Sequence, residues 1–218
     1  GDWDVAEGAA FSEFDRSVHV VEPFEVPTNW PRIRAADYGF SSPSCVLWAA
    51  IDWDSNIWVY RELYKKGLTG EDLGDLIVQL EALDPPMQIS VLDKSCWSKT
   101  GIGPSIAETM MTKGVRWVPS DSNRMAGKIE VHRRLKMDDI TGQPRLRIAS
   151  TCTNLIRTLP TLPLSKTNSE DVDTKAEDHA YDALRYMVMM RRLNYNLESF
   201  SRRIKDKPME MADAVFGY

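Results

Sequence analysis

The spacing of apolar and polar residues predicts a three-stranded meander in the first third of the chain. Residues 33–38 and 45–52 are apolar runs, and the second is apolar at nearly every position, as is typical of a strand covered on both faces. Residues 57–64 alternate and are rich in aromatic and β-branched side chains, which also favours a strand. Because only short turns separate these strands, we expect them to pair antiparallel.

The hydrophobic period becomes helical after the meander. Thr69 and Asp72 form a capping-box pattern, and apolar residues then recur at helical spacing until the Pro85-Pro86 pair ends the helix. Pro104 favours the first turn of another helix. The remaining predicted elements are strands at 88–93, 115–119 and 145–149 and helices at 123–137 and 151–159.

A second capping-box pattern, Thr174 with Glu177, predicts a last helix that runs to about Leu193. Three antiparallel strands followed by alternating helices and strands indicate the α/β class, with a mixed sheet covered by helices on both faces. The segment 1–32 contains three prolines and no sustained period, so we expect it to be irregular.

The predicted elements divide the chain into three regions. We expect an N-terminal arm or linker over residues 1–29, one α/β domain over 30–193 and a C-terminal tail over 194–218. No apolar run approaches the ~18 residues that a membrane-spanning helix needs. The N-terminus lacks the basic and apolar stretches of a signal peptide, so none is expected.

Composition and charge narrow the classes of function only slightly. The net charge is −5, but residues 113–147 hold nine basic and four acidic residues, and 185–207 hold seven basic and two acidic ones. A basic face for nucleic acid is one interpretation, although solvated helix faces would show the same pattern. Three cysteines, with spacing that matches no zinc site, indicate inert thiols in a reducing compartment: Cys45, Cys96 and Cys152.

Four aspartates carry the candidate chemistry. Asp37 and Asp93 each stand at the end of a predicted strand, and Asp178 and Asp182 lie four residues apart on one face of the last helix. Each has an ordinary alternative, namely a turn, a helix dipole or, for Asp182, a pair with Arg185. As a set they suit a hard cation, Mg²⁺ or Mn²⁺, and two such ions can promote phosphodiester hydrolysis.

Several segments resemble the C-terminal nuclease domain of the large terminase subunit of tailed phages. They are "AADYGFSSPSCVLW" (35–48), "SVLDKSCW" (90–97), "NRMAGKIEVHRRL" (123–135), "NLIRTLP" (154–160) and "EDVDTKAEDHAYDALRY" (170–186). The resemblance covers most of the chain, from about Trp30 to Met190, and the last segment is the most specific.

The resemblance implies an RNase H-like fold and cleavage of double-stranded DNA by two metal ions. It places the family's acidic positions on Asp37, Asp93 and the last helix, with Asp178 favoured as a ligand and Asp182 as a second ligand or a supporting group. Lys94 departs from the proline often found after the second aspartate, which bears on the shape of that loop.

The resemblance also implies partners and a setting. These are double-stranded DNA, a terminase ATPase domain, a small terminase subunit and a portal protein, in the host bacterial cytoplasm. The pattern of an ATP-binding phosphate loop does not occur in the chain, so we expect the nuclease activity without ATP hydrolysis.

We further hypothesise that the basic segment 124–136 and two later residues bind DNA phosphates without reading bases. Other interpretations remain: a resolvase or transposase with the same acidic chemistry, an actin-like ATPase, or a non-catalytic module that docks on DNA or a portal. The candidate DNA-binding residues are Arg124, Lys128, Arg133, Arg134, Arg157 and Lys166.

Overall fold

A mixed β-sheet organises the protein. The structure is a computed structural model, and it describes residues 8–99, 101–168 and 170–190. The described residues form one seven-stranded sheet in the order β1-β7-β4-β3-β2-β5-β6. The strands are β1 Val20–Val21, β2 Arg32–Asp37, β3 Ser44–Ile51, β4 Ile57–Lys65, β5 Ile89–Leu92, β6 Val118–Pro119 and β7 Leu146–Ala149.

The predicted meander is confirmed. Strand β3 pairs antiparallel with β2 on one side and β4 on the other, while β5, β6 and β7 join in parallel. Every residue of β3 is buried, because the strand is central and both of its faces are covered, so the unbroken apolar run follows from its position.

Helices cover both faces of the sheet, as predicted. Helices α2 and α3 enclose one core with Trp48 and Leu92, while α4, α5 and α6 enclose the other with Ile33 and Leu47. None of the helices among the described residues has the length and apolar composition that crossing a membrane requires. The helices are α1 Arg16–His19, α2 Gly70–Leu80, α3 Ile106–Thr112, α4 Arg124–Leu135, α5 Thr153–Thr158 and α6 His179–Val188.

Two local predictions about helices have different outcomes. The capping box of Thr69 and Asp72 forms at the start of α2. The one predicted for Thr174 and Glu177 is wrong, since α6 begins at His179 with Asp178 as its N-cap. The carboxylate of Glu177 instead accepts hydrogen bonds from Tyr64 and Arg157. The predicted continuation of this helix to about residue 193 is also wrong, because α6 ends at Val188.

The N-terminal segment contributes elements that the sequence pattern did not predict. It contains α1 and the short strand β1, which pairs in parallel with β7. Phe11 and Phe14 are buried in the same core as α6. A helix of four residues is too short for its period to be recognised, which explains the omission. The boundary at residues 29 and 30 stays a prediction, and the tail 194–218 lies outside the described residues.

Candidate active site

Two of the four aspartates meet at one edge of the sheet. Asp37 is the last residue of β2, and Asp93 directly follows β5. These strands are parallel neighbours with Ala36 opposite Leu92, and the Asp93 N–H donates to the Ala36 carbonyl at 3.1 Å. The two side chains therefore leave adjacent strands at the same level, as expected from the position of ligand sites at strand carboxyl ends.

Helix α6 brings the other two aspartates to the same edge. Asp37 shares the face of β2 that carries Ile33 and Ala35, and this face packs against α6. Asp178 caps α6, and Asp182 lies in its first turn. The helix is anchored to the strand end by His179, whose Nδ1 lies 3.0 Å from Asp37 Oδ2.

The acidic cluster, which consists of Asp37, Asp93, Asp178 and Asp182, contains too little positive charge to neutralise its carboxylates. Burial raises the pKa of Asp37 to about 6, and the nearby carboxylates of Asp182 and Asp93 add to the effect against a hydrogen bond from His179. Burial and then Asp182 raise the pKa of Asp178 to about 7. Each carboxyl is thus close enough to its neighbours to oppose their ionisation, and a bound cation would relieve that repulsion.

His179 is a member of the site that the sequence interpretation did not single out. Its hydrogen bond to Asp37 raises the pKa of the imidazole, against the effect of partial burial. An ionised Asp37 accepts this bond through one oxygen, which leaves the second oxygen without a hydrogen bond to any described residue. A histidine between two aspartates in the "DHAYD" segment was the available signal.

The environments of Asp178 and Asp182 differ. Asp182 accepts a hydrogen bond from Arg185 Nε at 3.0 Å and lies 3.3 Å from Arg124 Nη1. Asp178 makes no side-chain hydrogen bond to a described residue, and it forms a long ion pair with Arg124 Nη2 at 3.8 Å. Asp182 is therefore already paired with two guanidinium groups, whereas Asp178 retains a poorly compensated carboxyl group.

Arg124 lies inside the acidic cluster. Its Nε donates to Asp171 at 2.9 Å, in addition to its contacts with Asp178 and Asp182. Its Nη2 is buried and makes no hydrogen bond within the described residues. This arginine, predicted to contact DNA, is thus a counter-charge to Asp171, Asp178 and Asp182.

A hard divalent cation needs several oxygen ligands that converge on one point. Among the described residues, no three His, Cys, Asp or Glu side chains converge into a group that could hold a metal ion as they stand. The Asp93 carboxylate accepts hydrogen bonds from the N–H and the hydroxyl group of Ser95. The chemistry nevertheless fits a hard cation, since the candidates are carboxylate oxygens with uncompensated charge. Side-chain rotation would be needed to converge them.

The other predicted DNA-binding residues do not form one surface. Lys128 and Arg134 are buried, where they donate to the Glu170 carbonyl and to Glu130. Arg133 is exposed and pairs with Glu130. Arg133 lies in the last turn of α4, whereas the acidic cluster lies near the first turn of that helix. The two remaining residues, Arg157 and Lys166, are exposed. Arg157 forms an ion pair with Glu177.

The cysteines do not supply a nucleophile. All three are free and buried. Burial and then the charge of Asp93 raise the pKa of Cys96 to about 12, and burial raises the pKa of Cys152 to about 12 as well. Both thiols are therefore protonated at neutral pH, in agreement with the inert role expected from the sequence.

Close packing of α4 against α6 holds Arg185 in place. Gly127 of α4 lies against the aliphatic part of Arg185, which is 2% exposed. A Cβ atom at position 127 would lie 2.9 Å from Arg185 Cδ and closer still to Cγ. Because Asp182 and the ring of Tyr186 hold the guanidinium group, Arg185 has little room to move.

The substitution Gly127→Ala is expected to lower the free energy of unfolding by about 1 kcal/mol or more, because overpacking outweighs the better helix propensity of alanine. Chemical denaturation measures the change. Gly103→Ala is the matched control, since no atom of a described residue lies within 4 Å of a Cβ there. Equal or greater stability of Gly127→Ala would show that the two helices are not tightly packed at this point.

Solved structures with the same fold exist. The large terminase of a thermophilic bacteriophage matches with a TM-score of 0.70 and 18% identity, over 86% of this chain and 45% of that chain. The nuclease domain of the P22 large terminase matches with a TM-score of 0.68 and 17% identity, over 85% of this chain and 93% of that chain. This chain thus spans a little under half the length of the thermophilic phage protein. Comparisons with family models and with curated proteins find no match.

The likeness establishes the fold. The α/β class and its RNase H-like type are confirmed, with the three-stranded meander and helices on both faces. The resemblance to terminase nuclease domains is likewise confirmed at the level of structure. Because the sequence identities are 18% and 17%, the likeness establishes the fold alone, and the function of the site has to be inferred from its own residues.

Proposed function

We propose that this protein is a divalent-cation-dependent endonuclease that cleaves double-stranded DNA during the packaging of a phage genome. The main support is the meeting of Asp37, Asp93 and Asp178 at one sheet edge, with raised pKa values at the first and third. Three segments far apart in sequence contribute these carboxyl groups. The fold shared with terminase nuclease domains supports the same function.

In this proposal Asp37, Asp93 and Asp178 are the ligands of two Mg²⁺ or Mn²⁺ ions. Such ions stabilise the charge that develops on a phosphodiester and lower the pKa of a bound water. Asp182, a candidate ligand from the sequence, is assigned a positioning role because Arg124 and Arg185 already pair with it. His179 orients Asp37 by holding one of its carboxylate oxygens.

The substrate, the partners and the compartment are part of the same proposal. The substrate is a concatemer of the phage genome, and the partners are an ATPase domain, a small terminase subunit and a portal protein, in the host cytoplasm. The large terminase of the thermophilic bacteriophage is about twice as long as the region that this chain matches. ATP hydrolysis is not expected from these residues, because the phosphate-loop pattern does not occur in the chain.

Supercoiled plasmid incubated with the protein tests the activity. We expect nicked and linear DNA with Mn²⁺ or Mg²⁺ and none with EDTA, because the carboxylates need the ions to hold a phosphate. Plasmid without protein, with each metal, is the control. Cleavage that persists in EDTA, or no cleavage with either metal, would contradict the proposal. A strong preference for junction DNA over linear duplex would favour the resolvase alternative.

A further inference from the structure

An exposed aromatic ring lies three residues from Asp37. Phe40, in the connection from β2 to β3, is 55% exposed. The connection follows the strand end that carries the acidic cluster, so the ring stands at the same edge of the sheet. Burying a phenylalanine is normally favourable by about 2 kcal/mol. The exposed ring is therefore available to a ligand that approaches this edge of the sheet.

The connection that displays Phe40 is held in one shape. The Ser44 hydroxyl accepts from the Gly39 N–H at 3.2 Å and donates to the Gly39 carbonyl at 2.8 Å. The Phe40 carbonyl accepts from the Gly67 N–H at 2.9 Å. A Cβ atom at Gly39 would lie 2.8 Å from the Ser42 carbonyl oxygen, so glycine is required for this turn. The ring is thus presented from a fixed backbone.

Two lysines accompany the ring. Lys65 ends β4 and pairs in register with Ser44, and Lys66 precedes Gly67, which binds the Phe40 carbonyl. Both lysines are exposed, and neither forms an ion pair with a described residue. Asp72 is near enough to Lys65 for a weak electrostatic effect, but its carboxylate is bound by Thr69. The two ammonium groups remain available to an external anion.

We propose that Phe40, Lys65 and Lys66 form a DNA-contact surface beside the acidic cluster. The lysines bind phosphates of the duplex, and the ring packs against the deoxyribose and base edges of the minor groove. This inference rests on the proposed function for its substrate. It replaces most of the predicted basic set, because Lys128 and Arg134 are buried and Arg124 is held by aspartates.

Charge complementarity selects DNA as the occupant over a protein partner. The surface presents two unpaired cations at the edge where a phosphodiester backbone must approach Asp37 and Asp93. The buried aspartates repel that backbone when no metal is bound, so positive groups beside them offset an unfavourable approach. Proteins that bind the minor groove of a duplex combine basic side chains with apolar side chains such as phenylalanine.

Binding of a fluorescein-labelled duplex of about 20 base pairs, in EDTA and at salt from about 50 to about 300 mM, tests the surface. The variant Lys65→Ala/Lys66→Ala is expected to bind more weakly and to reduce the slope of log K against log salt by about 2. Phe40→Ser is expected to weaken binding about five-fold or more with an unchanged slope, and Phe40→Trp to retain it. Fluorescence anisotropy provides the readout.

Matched controls lie at the opposite edge of the sheet. Arg16→Ala/Arg116→Ala removes two exposed positive charges before β1 and before β6, and Ile140→Ser removes an exposed apolar side chain before β7. We expect wild-type affinity and slope from these variants. Equal losses in the controls and in the Phe40 and lysine variants, or no duplex binding by the wild type, would overturn the proposal.

A second readout separates this surface from the active site. Hydrolysis of the small phosphodiester bis(p-nitrophenyl) phosphate with Mn²⁺ needs the acidic cluster but no duplex contact, so the Phe40 and lysine variants should retain it. If duplex binding depends on the lysines but the wild type does not hydrolyse the small phosphodiester, the result would support the DNA-contact surface and contradict the proposed nuclease function. Hydrolysis with lysine-independent binding would refute the surface alone.

Discussion

Replacement of Asp37 by asparagine is expected to abolish metal-dependent DNA cleavage, with a loss of about 10³-fold or more, while the protein remains folded. Asparagine has nearly the same shape and removes only the negative charge. The charge is central, because Asp37 stands between Asp93 and α6 and the charges of both Asp93 and Asp182 act on it. A bound metal supplies several kcal/mol of transition-state stabilisation, and the loss of that stabilisation corresponds to a decrease in rate of about 10³-fold.

Plasmid cleavage at saturating Mn²⁺ measures the effect, and circular dichroism with chemical denaturation checks the fold. Asp139→Asn is the matched control, since it removes an exposed carboxylate at the opposite edge of the sheet and should cleave like the wild type. A folded Asp37→Asn variant with wild-type cleavage would show that this carboxylate does not hold the ion.

The metal-free protein is expected to lose stability as the pH rises from about 5 to about 8. In the folded state the pKa of Asp37 is about 6 and that of Asp178 about 7, against the ordinary value of 3.8. At pH values between the ordinary pKa of 3.8 and these raised pKa values, the folded state binds more protons than the unfolded state. The free energy of unfolding therefore falls as the pH rises. A shift of about two pKa units corresponds to about 3 kcal/mol.

Other titrating groups do not reverse this trend. The raised pKa of His179 acts in the same direction, because stabilisation from its protonated form is lost as the pH rises through that value. The pKa of Glu177 is lowered to about 2, so its contribution is lost only in more acidic solution. Between pH 5 and 8 the buried aspartates therefore dominate.

Urea denaturation in EDTA at a series of pH values measures the slope. Asp37→Asn and Asp178→Asn should each flatten it, and Mn²⁺ should restore the stability of the wild type at pH 8 by binding the ionised carboxylates. A flat profile for the metal-free wild type, or the same slope in both variants, would contradict this electrostatic description of the site.

The sequence predicted the strand-end aspartates because their signal is local. An apolar run that ends on a carboxylate identifies Asp37 and Asp93, whereas the structure supplies the side-by-side pairing of β2 and β5. The spacing of Asp178 and Asp182 likewise placed both on one helix face. These predictions depend only on periodicity and chain order.

The roles of the basic residues were not predictable in the same way. Arg124 and Lys128 look like a solvated helix face in sequence, but the loop before α6 folds over them and supplies Asp171 and the Glu170 carbonyl. Nothing in the local pattern specifies that contact. The sequence offered Arg185 as a partner of Asp182, and the packing of α4 on α6 adds Arg124 as a second one.

The start of α6 gives a second example of tertiary context. Glu177 is well placed in sequence for a capping box with Thr174, but Arg157 and Tyr64 bind its carboxylate at 2.6 and 2.7 Å. Two partners distant in sequence therefore outcompete the local cap. The helix begins at His179 instead, which places this histidine beside Asp37.

Titration of the metal-free protein with Mn²⁺, with free Mn²⁺ followed by electron paramagnetic resonance, tests the central claim most directly. The wild type should bind the ion, and the variant that carries both Asp37→Asn and Asp178→Asn should bind it at least about ten-fold more weakly. The variant Asp139→Asn should match the wild type. Mn²⁺ binding that is unchanged in the double variant would contradict a metal site built from β2 and α6.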